Sequence, residues 1–204
     1  MNLEYDDRFA GELNFACFGQ MLDSPTQCYK FYWLEAIMNL MLKKDCLTFD
    51  EIFDEMIILA WYSVTQYHLY LGPSIDGKRR DAIENAIESL IQNTGLNEYS
   101  SLEEIQTVLI ENKELIKGYK SVLAKNVPYR LLTSFLPELR KMYGDGEKIL
   151  YIKKMNRDIK LPYIIENDVG IQKRVVIQQE WKPFLLDNYI VIKNWIQFNK
   201  IQFL

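Results

Sequence analysis

Residues 28–44, CYKFYWLEAIMNLMLKK, are apolar on nearly every side of a helix. Only Lys30, Glu35 and Asn39 interrupt that surface before the closing Lys43 and Lys44. Such a helix has no face to offer to water, so neighbours must cover it all round. The chain must therefore wrap several other elements about one central helix, and 204 residues suffice for that. The lysine pair suits the negative pole of the helix dipole. Ser24-Pro25 reads as the helix entry, since proline is tolerated in a first turn.

The remaining segments supply the wrapping. Thr48-Phe49-Asp50-Glu51 has the spacing of a capping box and opens a helix with Ile52, Met56, Leu59 and Trp61 directed inward. Residues 56–75 carry no formal charge, the length of a membrane span. Ser63, Thr65, Gln66, His68 and the Gly72-Pro73 break favour a buried helix followed by a turn instead. Residues 76–94 form an amphipathic helix with Ile83, Ala86, Ile87, Leu90 and Ile91 as its stripe and Gly95 as its C′ residue. Ser100 or Ser101 caps the next helix, which has Leu102, Ile105, Leu109 and Ile116 on one face.

Beyond Pro128 the pattern changes. Residues 131–135 and 139–143 read as short helical turns around Pro137, and Gly144-Asp145-Gly146 as a turn. Residues 148–152, 163–165 and 175–177 are β-branched or aromatic runs, with Asn167-Asp168-Val169-Gly170 joining the last two as a hairpin. Trp181, Leu185, Tyr189, Ile192, Trp195 and Ile196 repeat at helical spacing to the end. The expected fold is mainly α, a multi-helix globular domain with a small antiparallel sheet or hairpin at about 148–178. A single domain is expected over residues 1–204, helical over 1–127, with a mixed α/β insertion at 128–180 and a C-terminal helix at 181–204.

Composition narrows the function classes. Hydrophobic residues make up 49% of the chain, with only six Pro and nine Gly, which excludes an intrinsically disordered chain. Cys17, Cys28 and Cys46 follow no metal spacing and read as reduced thiols of a cytoplasmic protein. The acidic N-terminus lacks the pattern of a signal peptide. One histidine, His68, excludes HExxH and paired-histidine sites, and there is no Gly-rich phosphate loop. Asp50 and Asp54, one helical turn apart, have the spacing to share a metal, although helix capping already accounts for acids there. Asp145-Gly146-Glu147-Lys148 approaches a nuclease carboxylate–lysine motif, but with the wrong spacing. The chain by itself is expected to be non-catalytic and to carry no cofactor.

The net charge of −4 hides a cancellation. Residues 81–116 hold eight acids against Lys113, whereas residues 117–160 hold eleven bases against four acids. Arg130, Arg140, Lys141, Lys148, Lys153, Lys154, Arg157, Lys160, Lys173 and Arg174 cluster in and around the expected sheet, interleaved with Tyr129, Tyr143, Tyr151 and Tyr163. These are the candidate nucleic-acid-binding residues: cations meet phosphates, and exposed tyrosines stack on bases. The competing reading is a solvated face that balances the acidic helices.

Four segments together carry a resemblance. They are CYKFYWLEAIMNLM at 28–41, FDEIFDEMIILAWYSVTQYHLYLG at 49–72, NVPYRLLTSFL at 126–136 and WKPFLLDNYIVIKNWIQFN at 181–199. Their order resembles the N-terminal region of bacterial HNH endonuclease domain-containing proteins, over essentially the whole chain. Ser63 stands where that family tends to have proline. The family's zinc cysteines and His-Asn-His metal core lie after this region, so none of its catalytic residues maps here. The resemblance implies a fragment, a split subunit or a degenerate relative, and the apolar end IQFL favours a cut or split chain. It also implies a recognition or regulatory module of a nuclease system, with double-stranded DNA and an HNH domain in cis or trans as partners, in a bacterial defence role. The alternative is a protein-interaction or homo-oligomerising module with no nucleic-acid contact.

Overall fold

The computed structural model describes residues 11, 13–73, 81–166 and 169–204. At its centre is α2 (Tyr29–Leu40), of which residues 31–38 are all buried. Helices α3 (Phe49–Thr65) and α10 (Tyr189–Phe203) pack against it. Trp33 meets Phe49 and Phe53 at 5.4 Å each, and Phe31 meets Phe203 at 5.8 Å. Fully burying aromatic side chains of this size is among the largest apolar gains available to a chain.

The entry to α2 lies later than Ser24-Pro25 implies: the helix starts at Tyr29, and Ser24 takes a left-handed φ of 49°. The Thr48 capping box forms as expected. Thr48 Oγ1 accepts from the Glu51 amide at 3.2 Å, while the Glu51 carboxylate accepts from the Thr48 amide at 2.9 Å. Helix α4 (Ala82–Asn93) buries Ile83, Ala86, Ile87 and Leu90 and packs on α6 (Lys113–Ala124). Its expected start at 76–80 falls outside the described residues. It ends on an extended Thr94, so Gly95 supplies no left-handed cap. Ser101, not Ser100, caps α5 (Leu102–Glu111). Ile105, Leu109 and Ile116 are buried, but Asn112 breaks the run into two helices and Leu102 is exposed.

The segment at 148–152 is helix, not strand. It lies within α8 (Asp145–Ile159), and Gly144 is that helix's N-cap rather than part of a turn. The run Ile-Leu-Tyr-Ile is too short for alternation to tell strand from helix. Asp145 and Glu147 in the first turn and Arg157 in the last suit the helix dipole, and Ile149 and Ile152 share the buried face. A short helix α7 (Val127–Arg130) and two 3₁₀ turns (Leu131–Ser134, Pro137–Lys141) precede it.

The sheet is three-stranded and antiparallel, in the order β1 (Cys46–Thr48), β3 (Arg174–Ile177), β2 (Tyr163–Glu166). Strands β2 and β3 fall where expected, with Tyr163 opposite Ile177 and Glu166 opposite Arg174. Two of the four residues expected to turn between them, 167 and 168, lie outside the described residues. Strand β1 is unannounced in the sequence and pairs Cys46 with Val176. Helices α9 (Lys182–Asp187) and α10 replace the single C-terminal helix. Trp181 stacks on Phe18 at 5.1 Å and donates its indole N–H to the Lys160 carbonyl at 2.7 Å. Helix α1 (Phe15–Gly19) thereby closes the aromatic cluster at that end.

Candidate anion-binding site

Four lysines are buried among the described residues: Lys120 at 1% exposure, Lys173 at 5%, Lys148 at 6% and Lys200 at 7%. A buried ammonium is expensive unless paired and hydrogen-bonded. Three of the four meet that condition. Lys120 on α6 reaches Asp50 and lies 2.6 Å from Asp54. Lys173 pairs with Asp145. Lys200 pairs with Glu35 at 2.8 Å.

Lys148 has no such partner among the described residues. Its ammonium lies 4.8 Å from the centre of the Tyr129 ring. Asp145, one turn earlier on the same helix, is engaged by Lys173. Lys148 instead lines a cavity of about 800 Å³ walled by α2, α6, α7 and the 3₁₀ turn that carries Arg140. Among the described residues, Lys30, Arg130 and Arg140 are the other cations that line it, and no described carboxylate does. The four cations come from segments 30, 130, 140 and 148, so only the folded chain assembles them.

The electrostatics agree with that proximity. Burial holds the Lys30 ammonium below its ordinary pKa, and the Arg140 and Arg130 guanidiniums push it the same way, against Asp23. The Lys30 ammonium donates to the Asp23 carbonyl at 2.8 Å. Burial first, then Asp145, raises the Tyr129 phenol above its ordinary pKa, so it remains a neutral hydroxyl. The rest of the wall mixes apolar side chains (Leu123, Val127, Leu139) with the polar Asn126 and Thr133. This arrangement can hold a compact, multiply charged anion.

The ten candidate cations therefore divide. Lys148, Arg130 and Arg140 meet at the cavity. Lys153, Lys154 and Arg157 are exposed on α8. Lys141 pairs with Glu138 at 3.0 Å, Lys160 with Glu180 at 2.7 Å and Arg174 with Glu166 at 3.0 Å. Lys160 is also the left-handed C-cap of α8, with φ at 56°. Lys173 is internal. Of the tyrosines expected to stack on bases, Tyr129 and Tyr163 are buried and Tyr143 is exposed. Lys30 was outside the expected set; its place in the hydrophobic central helix gave no sign of a site.

The other chemical constellations resolve differently. Lys120 bonds to Asp50 and lies beside Asp54, where a shared metal would have to compete with it. Among the described residues no His, Cys, Asp and Glu group has the arrangement of a metal site. His68 is exposed, with φ at 53°, beside Glu88, Glu98 and Tyr99. No helix is long and apolar enough to cross a membrane among the described residues. Comparison with protein-family models, curated proteins and solved structures finds no match to this chain.

Proposed function

We propose that the chain is a non-catalytic recognition module that binds duplex DNA through its phosphates, within an HNH-type nuclease system. The observation that carries the DNA reading is the solvent face of α8, where Lys153, Lys154 and Arg157 are all exposed on one 15-residue helix. Phosphate neutralisation by exposed lysine and arginine supplies sequence-independent affinity, and the +7 balance of residues 117–160 favours it. The link to an HNH nuclease rests on the four resembling segments alone.

The test is anisotropy of a labelled duplex titrated with the protein at several salt concentrations. Binding should weaken steeply with salt, with the log–log slope falling by about 0.9 for each phosphate contact removed. Charge reversal of Lys153, Lys154 and Arg157 together should abolish it. No binding to wild-type protein at low salt, or binding that survives the triple reversal, overturns the reading. A module that binds protein and not nucleic acid is the second reading, and it draws on Ile190, Val191, Phe198 and Ile201, exposed on α10. Concentration-dependent sedimentation that Ile201→Glu abolishes would favour it.

A further inference from the structure

We propose that Lys148 anchors a pocket for a phosphomonoester of nucleotide size. The proposal goes beyond duplex binding by α8 and rests on a different observation, the buried lysine without a carboxylate. Each of the three other buried lysines shows what this fold does with an internal ammonium: it supplies Asp50 and Asp54, Asp145, or Glu35. At Lys148 it supplies the face of Tyr129 and an opening onto the cavity. A cation–π contact offsets only part of the cost of burying an ion. Lys30, Arg130 and Arg140 bring further positive charge to the same lining. A dianion among these four groups adds an attraction to each of them that offsets their mutual repulsion.

The chemistry of the lining selects the ligand. A phosphomonoester carries a charge of about −1.5 to −2 at pH 7 and three strong acceptor oxygens. Arg130 and Arg140 offer guanidinium forks suited to two of those oxygens, and Lys148 a point charge from the interior side. A bare phosphate fills little of about 800 Å³. That volume falls within the usual range for small-molecule sites. The apolar wall of Leu123, Val127, Leu139 and Met142, with Asn126 and Thr133 beside it, suits the body of a nucleoside.

The experiment uses the full chain and follows thermal melting and ³¹P line broadening. The probes are inorganic phosphate, pyrophosphate and each of the four 5′-mononucleotides, with the matching nucleosides as controls. A mononucleotide should raise the melting temperature of the wild-type protein, and its nucleoside should not. Lys148→Met should lose that response while melting no lower than wild type without ligand, because it removes an unpaired cation. Lys120→Met should melt lower, since it strands two carboxylates. Arg140→Gln, at an exposed position, should fold and bind at least roughly tenfold more weakly, the loss of one charge-assisted hydrogen bond.

Absence of any phosphate-dependent response in the wild type overturns the proposal, as does undiminished binding by both Lys148→Met and Arg140→Gln. A response to a 5′-phosphorylated oligonucleotide but to no mononucleotide overturns the small-molecule assignment. The Lys153, Lys154 and Arg157 reversal should leave mononucleotide binding intact. Loss of the pocket and loss of duplex binding are therefore read separately.

Discussion

Glu35 is the residue whose replacement should be felt most across the centre of the molecule. It sits on α2 at 2% exposure, and its carboxylate accepts from Lys193 at 3.0 Å, Lys200 at 2.8 Å and Gln197 at 2.6 Å. All three donors belong to α10. Glu35→Met removes the acceptor and leaves the Lys200 ammonium buried, 4.6 Å from the centre of the Tyr32 ring. Lys193 retains its bond to Asn39 at 2.7 Å and is the more exposed of the two lysines, so most of the loss falls on Lys200. Breaking a buried pair on one side costs about 3–5 kcal/mol. For a chain of this length each kcal/mol corresponds to roughly 2–4 °C, so the melting temperature should fall by roughly 6–20 °C. Urea unfolding followed by tryptophan fluorescence measures the change directly. The double variant Glu35→Met/Lys200→Met should recover most of the loss, because it removes both charges rather than stranding one. A single-variant cost below about 1 kcal/mol, or a double variant no better than the sum of the singles, would refute the pairing argument.

Two further outcomes follow from other buried groups. Lys120→Met should cost about 3–5 kcal/mol at neutral pH. The Asp54 carboxyl is already held above its ordinary pKa by burial, so the variant should regain stability as pH falls and Asp54 takes up a proton, measured as melting temperature against pH. On the alkaline side, burial pushes the Cys28 thiol up to about 12 and raises the Tyr29, Tyr32, Tyr129 and Tyr163 phenols. The folded chain then keeps protons that the unfolded chain sheds from its ordinary values of 9.0 and 10.0 upward. This contribution is intact below pH 9 and declines as pH rises, so the tyrosinate absorbance of these four phenols, on top of that from exposed ones such as Tyr143, should rise together with the loss of helical circular dichroism.

The elements legible in the sequence were those whose cause is local. An all-round apolar helix within 28–44, a Thr48–Glu51 cap and β-branched or aromatic runs at 163–165 and 175–177 each declare themselves within a few residues. Residues 148–152 did not, because four consecutive apolar and aromatic residues suit either period; the deciding charges lie outside the run, at 145, 147 and 157. Strand β1 is three residues long and ends on Thr48, the cap of α3, so only its partner at 174–176 makes it a strand. The cavity shows the same division. The basic block was visible as a count, but a count does not separate Lys173, which meets Asp145, from Lys148, which does not. Lys30 joins Arg130 and Arg140 only through the packing of α2 against α7.

Strand β1 has a consequence for how the molecule reaches its native state. Cys46 lies in register opposite Val176, and Glu35 reaches Lys200, so β1 and the α10-facing side of the central helix are completed only when the last quarter of the chain arrives. Closing a loop of that length costs entropy before any contact repays it, which slows folding relative to a bundle of neighbouring helices. During synthesis, the side of α2 that α10 covers stays open for more than a hundred further residues. That interval is when the nascent chain depends on chaperone cover or is most open to aggregation. A chain severed between α3 and β3 should therefore be recovered only as two co-expressed pieces, each holding an edge the other must complete.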